Sequence, residues 1–375
     1  MRFRHRIRLA GLSPVWLCAA VAAWATHGSS QSLVNNASPT QQMMSTRSAG
    51  VEKDIELGNA FLYGHGAPKD EKQAAYWFEK AADAGDPWAQ QQIGFFYQAG
   101  IGVPVDVARS THWYQLAAAN GLAGAKMNLG VAYLWGLGVP VDKGFAAQLF
   151  RRAADQGNGT AASYLGNLYF FGQGLPQDRA AAEHWYRVGA KLHDPVAEYD
   201  LGMLYSVEDH EHDYSQAAAW LRKSVAGGYV PAMHSLALLL EEHTELAKSA
   251  GECLTLFEKA SAYGQWKSSE ALGIIYRDGT LAPRDAKAAY SWFRLALLQG
   301  AQPAKLTPAL EQLTAELGAD EAAKLDAAAQ AWRQQHPAAV EFLLKRSMKI
   351  TPPGLAIMTP AEGRHAGQLI SVPPA

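Results

Sequence analysis

The densest run of groups able to hold a metal is Glu208–Asp213, where His210 and His212 alternate with Glu208, Asp209, Glu211 and Asp213. Zinc accepts imidazole and carboxylate ligands, but a closed site needs a tetrahedron of them. No HExxH and no Cys-x-x-Cys stands elsewhere to complete the set, so the run reads as a solvated charged loop and no cofactor is expected. Glycine pairs at Gly64/Gly66, Gly100/Gly102, Gly136/Gly138 and Gly172/Gly174 suggest phosphate cradles. They lack the third glycine, the lysine and the preceding strand of a nucleotide loop. Recurring in four places, they read as structural turns. Ser-x-x-Lys and Gly-x-Ser-x-Gly are both absent, which leaves serine nucleophiles no starting point. No catalytic residue is assigned, and the chain reads as a non-enzyme.

What positions these groups is a repeat. A Leu/Ile-Gly step falls at Leu57-Gly58, Ile93-Gly94, Leu129-Gly130, Leu165-Gly166 and Leu201-Gly202, then at Leu236-Ala237 and Leu272-Gly273, with a spacing of 36 residues except for one of 35. A period in this range means a solenoid or array. Within one unit, Ala89, Ile93 and Tyr97 recur every four residues and so share a helical face. Gly100-Ile101-Gly102-Val103-Pro104 cannot continue that helix, since glycine favours positive φ and proline lacks an N–H. Asp106 is placed to cap the next helix, as are Asp70, Asp142, Asp178 and Asp285. Trp77, Trp113, Trp185, Trp220 and Trp292 recur on the second helices and read as core struts. Helices this short are marginal alone in water, so each pair must stack on its neighbours.

The pattern A-x-x-x-L-G-x-x-Y-x-x-G-x-G-V-x-x-D, followed by W-Y/F-x-x-A-A-x-x-G, resembles the Sel-one-like repeat family, relatives of the tetratricopeptide repeat with a longer loop between the helices. The resemblance covers roughly 53–300 and blurs in two units. It implies a right-handed α-solenoid of about seven two-helix repeats that holds partners, and it implies no chemistry.

The 375 residues carry a formal charge of −2, which gives no sign of a nucleic-acid surface. Arg2, Arg4, Arg6 and Arg8 precede an apolar run closed by Ala23-Trp24-Ala25, the layout of an export signal cleaved after Ala25. An uncleaved anchor is the alternative, because the run is at the short limit for a spanning helix. Residues 26–50, rich in Ser, Gln, Asn and Thr, read as a disordered linker, and 51–300 as the solenoid. The expected location is periplasmic or secreted, in a bacterial envelope, with no membrane span after cleavage. Cys253 is the only cysteine past the signal, so no internal disulfide is available.

Units five and six lose the glycine loop, and irregularity inside a regular array is where function or a bend is to be sought. Beyond Gly300, Thr307-Pro308 is expected to open a helix that Gly318 ends, with a second helix over Ala319–His336. These two cap the array over 301–336, and 337–375 reads as a flexible tail.

The remaining candidate is a face. The residues three before and one after each helix glycine point about 160–200° away from the buried leucine. In most units at least one is large and apolar, notably Phe95, Met127, Val131, Tyr199 and Met203. Such a ribbon is expected to bind a protein or peptide partner. The other reading is that the superhelix curls tightly enough to pack these groups between units. A protein-binding scaffold is the function expected. The alternatives are an activator or enzyme of cell-envelope polysaccharide or peptidoglycan metabolism, and a structural subunit of an export machine.

Overall fold

The computed structural model describes residues 48–207, 213–249 and 251–335. The export signal, most of the linker, both histidines of the charged loop and the tail lie outside them. Among the described residues the chain is all helical. Four regular pairs come first: α1 (Ala49–Tyr63) with α2 (Glu71–Asp83), α3 (Pro87–Ala99) with α4 (Val107–Ala119), α5 (Ala123–Trp135) with α6 (Lys143–Asp155), and α7 (Gly159–Phe171) with α8 (Arg179–Lys191). Three more follow: α9 (Pro195–Ser206) with α10 (Tyr214–Ala226), α11 (Val230–Glu242) with α12 (Glu252–Ala262), and α13 (Trp266–Asp278) with α14 (Ala286–Leu298). The end is closed by α15 (Pro303–Leu317) and α16 (Ala319–Gln335). Each helix packs on its partner and then on the next pair, and α9 also touches α7 and α11 directly. First helices therefore line the narrower, inner side of an α-solenoid.

The turns form as their residues dictate. Gly100 ends α3 at φ 71°, in the left-handed region, and Asp106 caps α4 by accepting from the Ala108 and Arg109 N–H groups. The Asp106 N–H donates back to the Tyr97 carbonyl at 2.9 Å and so closes the loop. The same closure returns at Asp142–Tyr133 and Asp178–Tyr169. It survives at Asp213–Tyr205 and Asp285–Tyr276, where the second glycine is missing. Gly102 has a further reason to be glycine: a Cβ there would overlap the Glu71 carbonyl oxygen. The loop of one unit thus rests on the start of the preceding unit's second helix.

The core corrects the reading of the tryptophans. Trp77, Trp113, Trp185, Trp220 and Trp292 are all half-buried. The struts are the residues one position later: Phe78, Tyr114, Phe150, Tyr186, Leu221, Phe257 and Phe293, each buried. Except for Phe257, whose unit has Ala237 in place of the glycine, their side chains lie against the helix glycine of the same unit, and a Cβ on Gly130 would stand 2.6 Å from the Phe150 ring. This is what the Leu-Gly step provides: a flat spot that admits a ring from the following helix. Trp77, Trp185 and Trp220, turned by a further 100°, take part of their contact from Lys80, Arg151 and Lys223. Lys223 sits 3.7 Å from the Trp220 ring centre.

The cap also differs from expectation. Helix α15 begins at Pro303, not Thr307, with Gln302 in the capping position and Pro308 inside the helix. Pro303 supplies the preset φ of a first helical residue, and Thr307 Oγ1 donates to the Pro303 carbonyl at 2.9 Å instead of capping. Gly318 ends the helix as expected.

Candidate interaction surface

Of the five residues expected to form the binding ribbon, Phe95, Met127 and Met203 are half-buried, while Val131 and Tyr199 are buried at 6% and 9% exposure. The expectation that this face forms no core is therefore corrected for the latter two. Tyr199 shows why. Its ring meets Tyr229 edge-on at 5.2 Å, and its hydroxyl accepts from Ser235 on the next first helix at 3.4 Å. Burial pushes its phenol up to about 12. On the inner side of a curved array, successive first helices approach closely enough to cover parts of one another.

What remains open along the inner side and its rim differs between the two halves. In units two to four the groups are uncharged: Phe95, Met127, Trp135, Phe170 and Phe171, the last 41% exposed. In units six and seven the corresponding stretch carries Glu241, Glu242, Lys267, Glu270, Arg277 and Asp278. Arg277 and Asp278 pair with each other through two bonds of 2.6 and 2.8 Å.

Between the halves lies a buried polar chain. Asp200 Oδ2, on α9, accepts from Ser163 Oγ and from Asn167 Nδ2 (3.2 Å) on α7. Asn167 Oδ1 in turn accepts from the Tyr186 hydroxyl on α8 at 2.7 Å. Burial pushes the Asp200 carboxyl up to about 7, against the smaller lowering effect of its two donors. Further on, His234 Nδ1 lies 2.9 Å from Ser268 Oγ across the α11–α13 contact. Burial, helped by the Lys267 charge, pushes that imidazole down to about 3, so it is neutral. Ser163, Asn167 and His234 were legible as inner-side residues, but Asp200 was not. Its signal was a lone carboxylate at a position that holds Gln92, Asn128, Tyr164 and Ser235 in neighbouring units.

None of this forms a catalytic constellation, and among the described residues no cluster of three or more His, Cys, Asp or Glu side chains is placed to hold a metal. No helix among them is long and apolar enough to cross a membrane. Fold and surface together define a two-helix-repeat α-solenoid whose inner side is built of first helices. The Sel1 repeat pattern matches residues 48–86, 89–122, 123–158, 159–194, 195–229 and 267–300, and the chain belongs to the Sel1 repeat family. The unmatched interval holds α11 and α12, where a 3-10 turn at Thr244–Leu246 replaces the glycine loop.

Among solved structures, the chain is similar to a Sel1 repeat protein from Oxalobacter formigenes, with 27% identity over 66% of this chain and 98% of that one and a TM-score of 0.58. It is also similar to c5321, a protective antigen present in uropathogenic Escherichia coli strains and displaying an SLR fold. There the identity is 23%, the coverage 85% of this chain and 75% of that one, and the TM-score 0.41. No curated protein matches the chain.

Proposed function

We propose that this protein is an exported scaffold of a bacterial envelope that holds a protein or peptide segment along the inner side of its solenoid. The observation that carries the reading is a recurrence. Phe95, Met203, Leu238 and Ile274 occupy the same register position, with Met127 one turn earlier in its unit, and all five are half-buried large apolar groups. Their own helix pairs do not need to cover them fully. Aligned through the stack, they offer separated anchors to one elongated ligand. Thioethers adapt in shape and rings give large contact area at low entropic cost. Val131 and Tyr199 support this surface from beneath. Export rests on the arginine cluster, the apolar run and Ala23-Trp24-Ala25.

A photo-crosslinking residue placed in turn at Phe95, Met127 and Met203, and at the exposed control positions Leu116 and Tyr263, tests the reading in the native cell. The expected result is one common adduct from the inner positions and none from the controls. Adducts from the controls alone would place the partner elsewhere. Mass spectrometry of the mature N-terminus tests export, with Thr26 expected as the first residue.

A further inference from the structure

The joint between the fourth and fifth repeats carries a carboxyl that no other described joint has. At the position of Asp200, which is 4% exposed, the second, third, fourth, sixth and seventh units hold Gln92, Asn128, Tyr164, Ser235 and Ala271. Glu56 takes the position in the first described unit, where it is exposed. Asp200 is thus the one acid inserted between two first helices at this register.

Its surroundings are built to hold a carboxyl yet do not neutralise a carboxylate. From α7 it meets Ser163 and Asn167, both neutral donors, and from α8 Tyr186 by way of Asn167. From α11 comes Ser235, which is directed to the neighbouring Tyr199. Basic side chains of the packed helices are engaged with other groups: Arg179 of α8 donates to the Leu204 carbonyl on α9 at 3.1 Å. Arg187 of α8 is bonded to Glu183 at 2.8 Å and to the Tyr205 hydroxyl at 2.7 Å. Lys223 of α10 stands over the Trp220 ring and acts on Glu198. The Asp194 charge at the start of α9 disfavours ionisation further. A buried charge with neutral donors and no countercharge destabilises the packing that holds it.

We propose that the α7–α9 contact is a pH-responsive hinge, closed while the Asp200 carboxyl carries its proton and loosened once the proton leaves. The hinge sits where the inner side changes from uncharged to charged, so its opening alters how the two halves face each other. A folded-state carboxyl raised to about 7 binds its proton more tightly than the same group in an opened joint. Closure is therefore strongest below the ordinary aspartate value, near 3.9, and is lost progressively as pH rises to about 7. Above that the dependence ends.

Hydrogen exchange of the mature full chain, read as protection factors so that intrinsic exchange cancels, reports the opening directly. For amides of α7 and α9, protection in the wild type is expected to fall by about tenfold per pH unit from about pH 5 to about pH 7, then level off. In Asp200→Asn it is expected to stay flat. Amides of α3 and α5 serve as the internal reference and should show no such step. Ser163→Ala removes a donor that favours the charged form, so the levelling-off should move to higher pH. A wild type without the step overturns the hinge, as does an Asp200→Asn chain that keeps it. If Asp200→Asn does not fold, the Ser163→Ala midpoint decides, and an unmoved midpoint also overturns the proposal.

Discussion

Repeats one to four and repeats five to seven are built from the same helix pair, yet they hold it together by different means. In the first group the turn is made by backbone: a left-handed glycine, an aspartate cap and, from the second repeat on, a second glycine resting on the preceding unit. In the second group the turn of the sixth repeat is held by long side chains, while the seventh returns to a left-handed Gly279 and an Asp285 cap. Arg222 on α10 reaches across to Glu252 at 3.0 and 3.1 Å and to the Leu246 carbonyl at 2.7 Å, while Tyr214 stacks on His243 at 4.0 Å. Backbone-made turns leave the inner side free to be neutral and apolar. The side-chain-made turn of the sixth repeat brings charge with it. The contrast teaches that the repeat is defined by ring-on-glycine packing, which both groups keep at Gly130–Phe150 and Gly273–Phe293, and that the turn is replaceable.

The largest effect should come from the feature the groups share. Phe150→Ala is expected to cost about 3–5 kcal/mol in denaturant unfolding, the scale for a buried aromatic. Trp113→Ala, at a side chain that is only partly buried, should cost no more than about 2 kcal/mol. The reverse order would restore the tryptophans as struts. Next comes the backbone turn. Gly102→Ala should cost about 2 kcal/mol or more, through both its positive φ and the overlap with the Glu71 carbonyl. At Gly66 a Cβ meets nothing within 4 Å, so Gly66→Ala should cost only about 1 kcal/mol, measured by melting under matched conditions. Equal costs would show that the docked loop contributes nothing.

Arg222→Ala tests the side-chain turn. Its side chain is 22% exposed and that of Glu252 17%, so losing the pair and the carbonyl bond should cost about 1–3 kcal/mol. A neutral outcome would mean that units five and six rest on packing alone. Smallest in stability is Met203→Ser, at about 1 kcal/mol or less, although it should weaken partner capture severalfold in the crosslinking assay. Tyr199→Ser should do the opposite and lower the melting point first, because that side chain is packed under Tyr229.

Local features were legible in the sequence because they are decided by one or two residues. Asp106 and Asp285 had to cap, Gly100 had to end a helix, and the 36-residue period counted the units. The tryptophan error has the same root seen from the other side. Positions 113 and 114 differ by 100° on a helix, and the sequence pattern marks the larger ring while the glycine on α3 selects the other. Val131, Tyr199 and Asp200 were misplaced or missed for a different reason. Their burial is set by how closely α5, α7, α9 and α11 approach on the inner side, and that curvature accumulates over several units. The start of α15 was missed because two prolines, Pro303 and Pro308, could each have opened the helix.

The resting of each loop on the unit before it gives the molecule an arrow. Gly102 lies on α2, Gly138 on the start of α4 and Gly174 on the start of α6, whereas at Gly66, in the first described unit, an added Cβ would meet nothing within 4 Å. A chain leaving the ribosome N-terminus first therefore always finds its docking template already made, and synthesis and assembly run in the same direction. Removing a unit from the front would strip a seat from the loop behind it, and removing one from the regular middle would simply bring the next loop to an equivalent seat. Gene-level gain or loss of whole units inside the first four is thus tolerated by the architecture in a way that trimming its leading edge is not.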